Sequence, residues 1–168
     1  TGTILNDDAT LSVAALAASK AEGNSGSTAF TFTATRTGDT SGSATASYAV
    51  TGSGSAPANA ADFAGGVLPS GIVSFVSPYT TKTRSVYVAG DSVVEASEGF
   101  TLTLSNPSSG LAIGTASATG TILNDDATLS VAALAAVKAE GNSGSTAFTF
   151  TATRTGDTSG SATASYAV

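Results

Sequence analysis

Carboxylates are the side chains through which this chain could do chemistry. Its 168 residues include twelve Asp and Glu and six Lys and Arg, with no His, Cys, Met or Trp. The missing residue types exclude Ser-His-Asp and Cys-His catalysis, the usual zinc, haem and iron–sulfur sites, and a disulfide framework. An enzyme is therefore not expected. A net charge of −6 offers no basic surface for phosphates, so nucleic acid is not an expected partner either. What remains is oxygen chemistry. Hard oxygen ligands without nitrogen or sulfur select Ca²⁺ or Mg²⁺, and flexible loops suit the six to eight ligands of Ca²⁺ better than octahedral Mg²⁺.

Whether the acids can act together depends on the elements that carry them. Residues 119–168 repeat residues 1–50 at 49 of 50 positions, the exception being Ser19 against Val137, so the unit is a 118-residue repeat. Within one period the pattern is alternation. Phe30, Phe32 and Ala34 lie between Thr31, Thr33 and Thr35, which puts apolar groups on one face of a strand and hydroxyls on the other. Ala44, Ala46, Tyr48 and Val50 repeat the pattern, as do Val73 with Phe75, Val86 with Val88, and Phe100, Leu102 and Leu104.

Seven strands are predicted, at about 10–17 (A), 28–37 (B), 43–52 (C), 71–76 (D), 82–89 (E), 99–105 (F) and 115–123 (G). Seven short strands in such a length mark an all-β antiparallel sandwich. In segment 11–22, Ala and Leu favour helix, but Ser12, Val13 and the following GNSGS favour a strand with an irregular end. The longest apolar run, Val13 to Ala18, is far short of the roughly 20 residues of a membrane helix, so no membrane insertion is expected. Charged residues make up 11%, against roughly 25% in ordinary domains. With abundant Thr, Ser, Ala and Gly and no thiols, that composition fits a secreted or cell-surface protein.

In a sandwich each strand reverses its predecessor, so the A–B, C–D and E–F loops share one end with the exit of G. Of the eight acids in residues 9–126, Glu22, Asp62, Asp91, Glu95, Glu98, Asp125 and Asp126 fall there, and only Asp39 does not. Arg36, Lys82 and Arg84 lean to the opposite end, with Lys20 the base near the acids. Seven carboxylates at one pole repel one another unless a counter-charge enters, and a divalent cation is the natural one. The bland alternative is a merely polar loop end. Glu98 reads either as a rim ligand of such a cation or, the favoured reading, as a solvated acid at the start of strand F, and Arg84, which breaks the apolar alternation, as a strand end opening to solvent.

AEGNSG (21–26), TRTG (35–38), ADF (61–63), VAGDSVVEASEGFTLTLSN (88–106) and TGTILNDD (119–126) together resemble the Calx-beta domain in its bacterial tandem-repeat form. The resemblance implies an immunoglobulin-like seven-stranded sandwich with Ca²⁺ in the far-end loops, as in the calcium-sensor domains of sodium–calcium exchangers. It places the ligand positions on Glu22, Asp62, Asp91, Glu95, Asp125 and Asp126, with the Val93 carbonyl as a further donor. Gly90 and Asn124 stand where the exchanger domains carry acids, which implies fewer or weaker sites, at about 10⁻⁴–10⁻³ M.

Other motifs carry little. Asp39-Thr40-Ser41-Gly42 has Ser where an aspartic-protease loop needs Gly, and it reads as a hairpin turn. Glu95 and Glu98 could pair for glycoside hydrolysis, but no Trp platform accompanies them. Pro107 after Asn106 blocks a glycosylation sequon.

The boundaries expected are 1–8 as the last strand of a preceding repeat, 9–126 as a complete repeat, and 127–168 as the first three strands of the next. Ile122 to Leu129 has no flexible spacer, so consecutive units should stack end to end. Neither flanking piece closes a sandwich alone; a continuous array is the favoured reading, completion by a neighbouring chain the alternative. Near-identical copies suggest a structural stalk or filament, with calcium stiffening the joints, neighbouring repeats of the same or identical chains as partners, and self-assembly into fibres. A calcium-sensing regulatory module and a ligand-binding adhesin domain are the alternatives.

Overall fold

The computed structural model describes residues 2–4 and 7–167. Residues 9–123 form nine strands: β1 (Ala9–Ala17), β2 (Ser19–Ala21), β3 (Ser27–Gly38), β4 (Ala44–Ser53), β5 (Ser70–Phe75), β6 (Thr81–Ala89), β7 (Glu98–Ser105), β8 (Leu111–Ile113) and β9 (Ser117–Leu123). They build two sheets, ordered β6-β3-β1-β8 and β2-β9-β7-β4-β5. The count differs from seven for two reasons. Strand A breaks at Ala18, buried where the chain crosses between sheets, so β1 pairs antiparallel with β3 while β2 pairs parallel with β9. A short β8 precedes G and pairs parallel with the start of β1. The helical reading of 11–22 fails, because the β1 alternation buries Leu11 and Val13 against a second sheet. Tertiary packing overrides the helix propensity of Ala and Leu.

The core lies between the sheets. Phe30, Phe32 and Phe63 each meet Phe100 edge-on, with ring centroids 5.7, 5.9 and 5.5 Å apart, and all four rings are fully buried. Each such ring contributes roughly 1.5–3 kcal/mol from burial and geometry-dependent attraction besides. Gly120 of β9 lies under the Phe100 ring, where any Cβ would overlap it. The outward positions are hydroxyls. Ser12 pairs with Thr35, and Thr35 with Thr81.

Two bases are held within the fold. Arg84 does not open to solvent at a strand end. It lies inside β6, opposite Phe32, and closes the gap between the two sheets at their edge. Its Nη2 donates to the Ile72 carbonyl of β5 at 2.7 Å, and the guanidinium stacks 5.0 Å from the Tyr48 ring centroid. An arginine can replace an apolar residue there because its flat face packs on an aromatic ring while its edge finds a carbonyl. Arg36, 2% exposed, fills the β3–β4 turn instead of offering a free charge. Its Nε and Nη2 donate to the Asp39 carbonyl at 3.0 and 2.7 Å, and Nη1 to the Gly42 carbonyl at 2.9 Å.

Residues 127–167 form a separate two-stranded sheet, β10 (Ala127–Ala135) with β11 (Thr149–Gly156). Of the three strands expected after residue 126, these two form. Residues 162–167 run without strand pairing. Their counterparts in β4 pair with β5 and β7, whose equivalents are not in this sequence.

Candidate functional site

The acids come together because of how strands exit. Parallel pairing of β2 with β9 sets Ala21 beside Leu123, so the residues that follow, Glu22 on one side and Asn124-Asp125-Asp126 on the other, leave the sheet side by side. Carboxylate oxygens of Glu22, Asp125 and Asp126 lie within 4.8 Å of one another. Glu22 and Asp126 are only 4% and 3% exposed. The A–B loop holds the pair of aspartates: the Gly23 amide donates to Asp125 Oδ1 at 3.2 Å, and Asn24 Nδ2 to Asp126 Oδ1 at 2.5 Å. The other Asp126 oxygen, Oδ2, is buried without a hydrogen-bond partner. Lys20, the base expected near these acids, turns away and donates to the Ala29 carbonyl at 2.6 Å.

A second triad comes from the C–D and E–F loops. A single 3₁₀ turn over residues 60–62 sits on the buried Phe63. It is closed by a capping box in which the Ala61 amide donates to Asn59 Oδ1 at 2.9 Å and the Asn59 amide to Asp62 Oδ2 at 2.5 Å. This turn presents Asp62 to Glu95 and Glu98, the three carboxylates again lying within 4.8 Å of one another. Glu98 is thus half-buried among acids, and its reading as a solvated strand-start residue is corrected: β7 begins at Glu98 and carries it inward beside Asp62.

Mutual repulsion and burial both show in the proton affinities. Burial pushes Glu22 up from 4.5 to about 7, helped by the charges of Asp91, Glu95, Asp126 and Asp125. Glu98 is also pushed up to about 7, by burial first, then by its hydrogen bond to Asp62 and the charges of Asp62, Glu95 and Glu22. Glu95 is raised by burial and by Asp62, Asp91 and Asp126. A site in which several carboxylates resist ionisation is one that a cation would relieve. By contrast Asp39, away from the cluster, is held below its usual value by the Ser41 amide and hydroxyl.

Of the residues expected as ligands, Glu22, Asp125 and Asp126 meet in the first triad and Asp62 and Glu95 in the second. Asp91 belongs to neither but is close enough to raise both Glu22 and Glu95. Its Oδ1 accepts the Val93 amide at 2.7 Å, and the Val93 side chain is exposed. Gly90 explains its own lack of a carboxylate, since any Cβ there would overlap the Gly23 carbonyl. Asn24 and Ser97 escape sequence reasoning, and Asn124 reads there only as a position that lacks an acid. Their only signal was proximity to acids in loops, which polar loop residues share everywhere. The Asn124 amide donates to Ser97 Oγ at 3.3 Å, Asn124 Oδ1 accepts the Glu95 amide at 3.1 Å, and Nδ2 donates to the Asp126 carbonyl at 3.1 Å.

Fold and site together define a two-sheet β-sandwich module with a carboxylate-rich pole. The Calx-beta domain family model matches residues 7–126, and the chain belongs to that family. Among solved structures, the apo form of the Calx CBD1 domain is similar at 25% identity and a TM-score of 0.59, the match covering 71% of this chain and 99% of that one. CBD12 of CALX1.2 matches at 26% identity and a TM-score of 0.58, over 70% of this chain and 46% of that one. The calcium binding domain CBD12 of CALX1.1 matches at 27% identity and a TM-score of 0.57, over 71% of this chain and 49% of that one. The chain thus spans about half the length of each CBD12 structure. No curated protein matches it.

Proposed function

We propose that this chain is a calcium-binding structural repeat of a long extracellular bacterial surface or filament-forming protein, secreted or held at the cell surface, in which Ca²⁺ stiffens the end-to-end joints. The observation that carries the calcium reading is the buried Asp126 oxygen without a hydrogen-bond partner, set in a pole of seven acids. Leaving a buried charged acceptor unsatisfied costs more than a typical hydrogen bond gains. Donors that are all carboxylate and carbonyl oxygens fit Ca²⁺, and a calcium binding domain is among the similar structures.

Glu22, Asp62, Asp91, Glu95, Asp125 and Asp126 are the proposed ligands, with Glu98 added and the Val93 carbonyl retained. The cation supplies there the positive charge that the crowded carboxylates lack. Support for stacked units comes from a contact that occurs twice. The Asp8 carbonyl accepts the Asp39 amide at 3.0 Å, and the Asp126 carbonyl accepts the Asp157 amide at 2.8 Å, so each Asp-Asp pair abuts the β-turn of the unit after it. Residues 1–8, 9–126 and 127–168 remain the proposed divisions.

Calorimetric titration of the chain with Ca²⁺, against an Asp91→Ala, Glu95→Ala variant, tests the ligand set. Weaker binding by the variant is expected, and equal binding contradicts the assignment. Thermal stability should rise with calcium, by about 1.4 kcal/mol at tenfold excess over Kd if only the folded state binds. Small-angle scattering of a multi-repeat protein with and without chelator tests the stiffening, and an unchanged maximum dimension would sink it.

A further inference from the structure

The position that lacks an acid after β9 carries a role of its own. Asn124 joins two parts of the joint by the hydrogen bonds described above: the E–F loop, at Glu95 and Ser97, and the Asp126 carbonyl. That same carbonyl receives the Asp157 amide of the following β10–β11 hairpin at 2.8 Å. A carboxamide is required for this pattern, because one end must accept from Glu95 and the other donate to Asp126. An aspartate could do only the first. The E–F loop also reaches the hairpin directly, Val94 Cγ1 standing 2.9 Å from where a Cβ on Gly156 would be.

We propose that Asn124 is the positioning residue of the joint: its carboxamide ties the E–F loop backbone to the Asp126 carbonyl on which the next unit's Asp157 amide rests, so that order in the acidic pole is passed to that unit. A loop carrying Asp91, Glu95 and Glu98 is thereby coupled to the neighbouring hairpin through two consecutive hydrogen bonds on one carbonyl oxygen, whose two lone pairs suffice for both. The inference rests on the reading of the pole as a calcium site, and its test separates the two.

The test is amide hydrogen exchange at Asp157 in the full chain, with Ca²⁺ and with chelator, alongside calorimetric Ca²⁺ titration of the same samples. In the native protein Ca²⁺ should slow exchange at Asp157. In Asn124→Ala, and equally in the similarly shaped Asn124→Leu, the calcium-linked slowing should fall by about fivefold, the worth of one net hydrogen bond, while both variants still bind Ca²⁺. Slowing that is undiminished in both variants overturns the inference, as does a native chain that binds Ca²⁺ without any change at Asp157. Absence of Ca²⁺ binding by the native chain instead overturns the calcium reading itself. Unchanged exchange at the Phe100 amide between β7 and β9 shows that the variants are folded.

Discussion

Residues 9–38 and 127–156 are the same sequence but for Ser19 and Val137, and they meet two fates. Their β-hairpins pair alike. Ala9 pairs with Gly38 as Ala127 pairs with Gly156, and the register shift between Ala15 and Ala17 recurs between Ala133 and Ala135. Local hydrogen bonds agree too, Lys20 on Ala29 matching Lys138 on Ala147, and Thr28 on Glu22 matching Thr146 on Glu140. Burial does not agree. Phe32 is fully buried while Phe150 is 56% exposed, and Glu22 is buried while Glu140 is exposed. The hairpin, its bulge and its loop are therefore locally encoded, whereas the core and the acidic pole arise only when β4 to β9 supply the second sheet and the remaining loops.

That contrast can be broken most forcefully at the rings. Phe32→Ala should cost about 3–5 kcal/mol in chemical denaturation, as a buried Phe does. Phe150→Ala, the same change in the other copy, should leave the transition of the sandwich unmoved. Next comes Gly120→Ala, whose methyl group meets the Phe100 ring and should cost about 1–3 kcal/mol. Its counterpart Gly2→Ala has nothing within 4 Å and should be neutral.

A smaller effect follows from protonation. Because Glu22 and Glu98 are raised to about 7 from 4.5, the folded state holds more protons than the unfolded one between those values. Stability in chelator should therefore be greatest below about pH 4.5 as far as these groups decide it, and should fall as pH rises to about 7. Melting curves of the native chain across that range should show the decline, and Glu22→Gln should flatten it while Glu140→Gln should not. A steady rise in stability over the same range would contradict the account of the pole.

Most of the fold was legible because alternation reports one buried face. Phe30 and Phe32 with Thr31 and Thr33 admit no other register, and counting strand reversals was enough to send seven acids to one end. What stayed illegible lies outside periodicity. The crossing at Ala18 depends on which sheet offers a partner to Ser19–Ala21, and β8 on a parallel neighbour more than a hundred residues away in β1. Arg84 looked like an error in the pattern because its partners, Tyr48 and the Ile72 carbonyl, belong to the opposite sheet. Glu98 looked solvated because its partner is Asp62, held in place by an Asn59 cap that has no strand-like signature. Asn124 looked like a lost ligand, since a carboxamide's two ends gain meaning only once Glu95 and Asp126 flank it.

In the proposed function, the acidic pole of residues 9–126 binds Ca²⁺ through carboxylates that a second sheet and its loops bring together. Calorimetric Ca²⁺ titration of the full chain carrying Glu22→Gln, set beside the chain carrying Glu140→Gln, tests it most directly, because the two glutamates occupy the same position of the repeated sequence. Glu22→Gln should weaken binding by at least about tenfold, the loss of roughly 1.4 kcal/mol, and Glu140→Gln should bind as the native chain does. Equal losses from both, or no loss from Glu22→Gln, would contradict it.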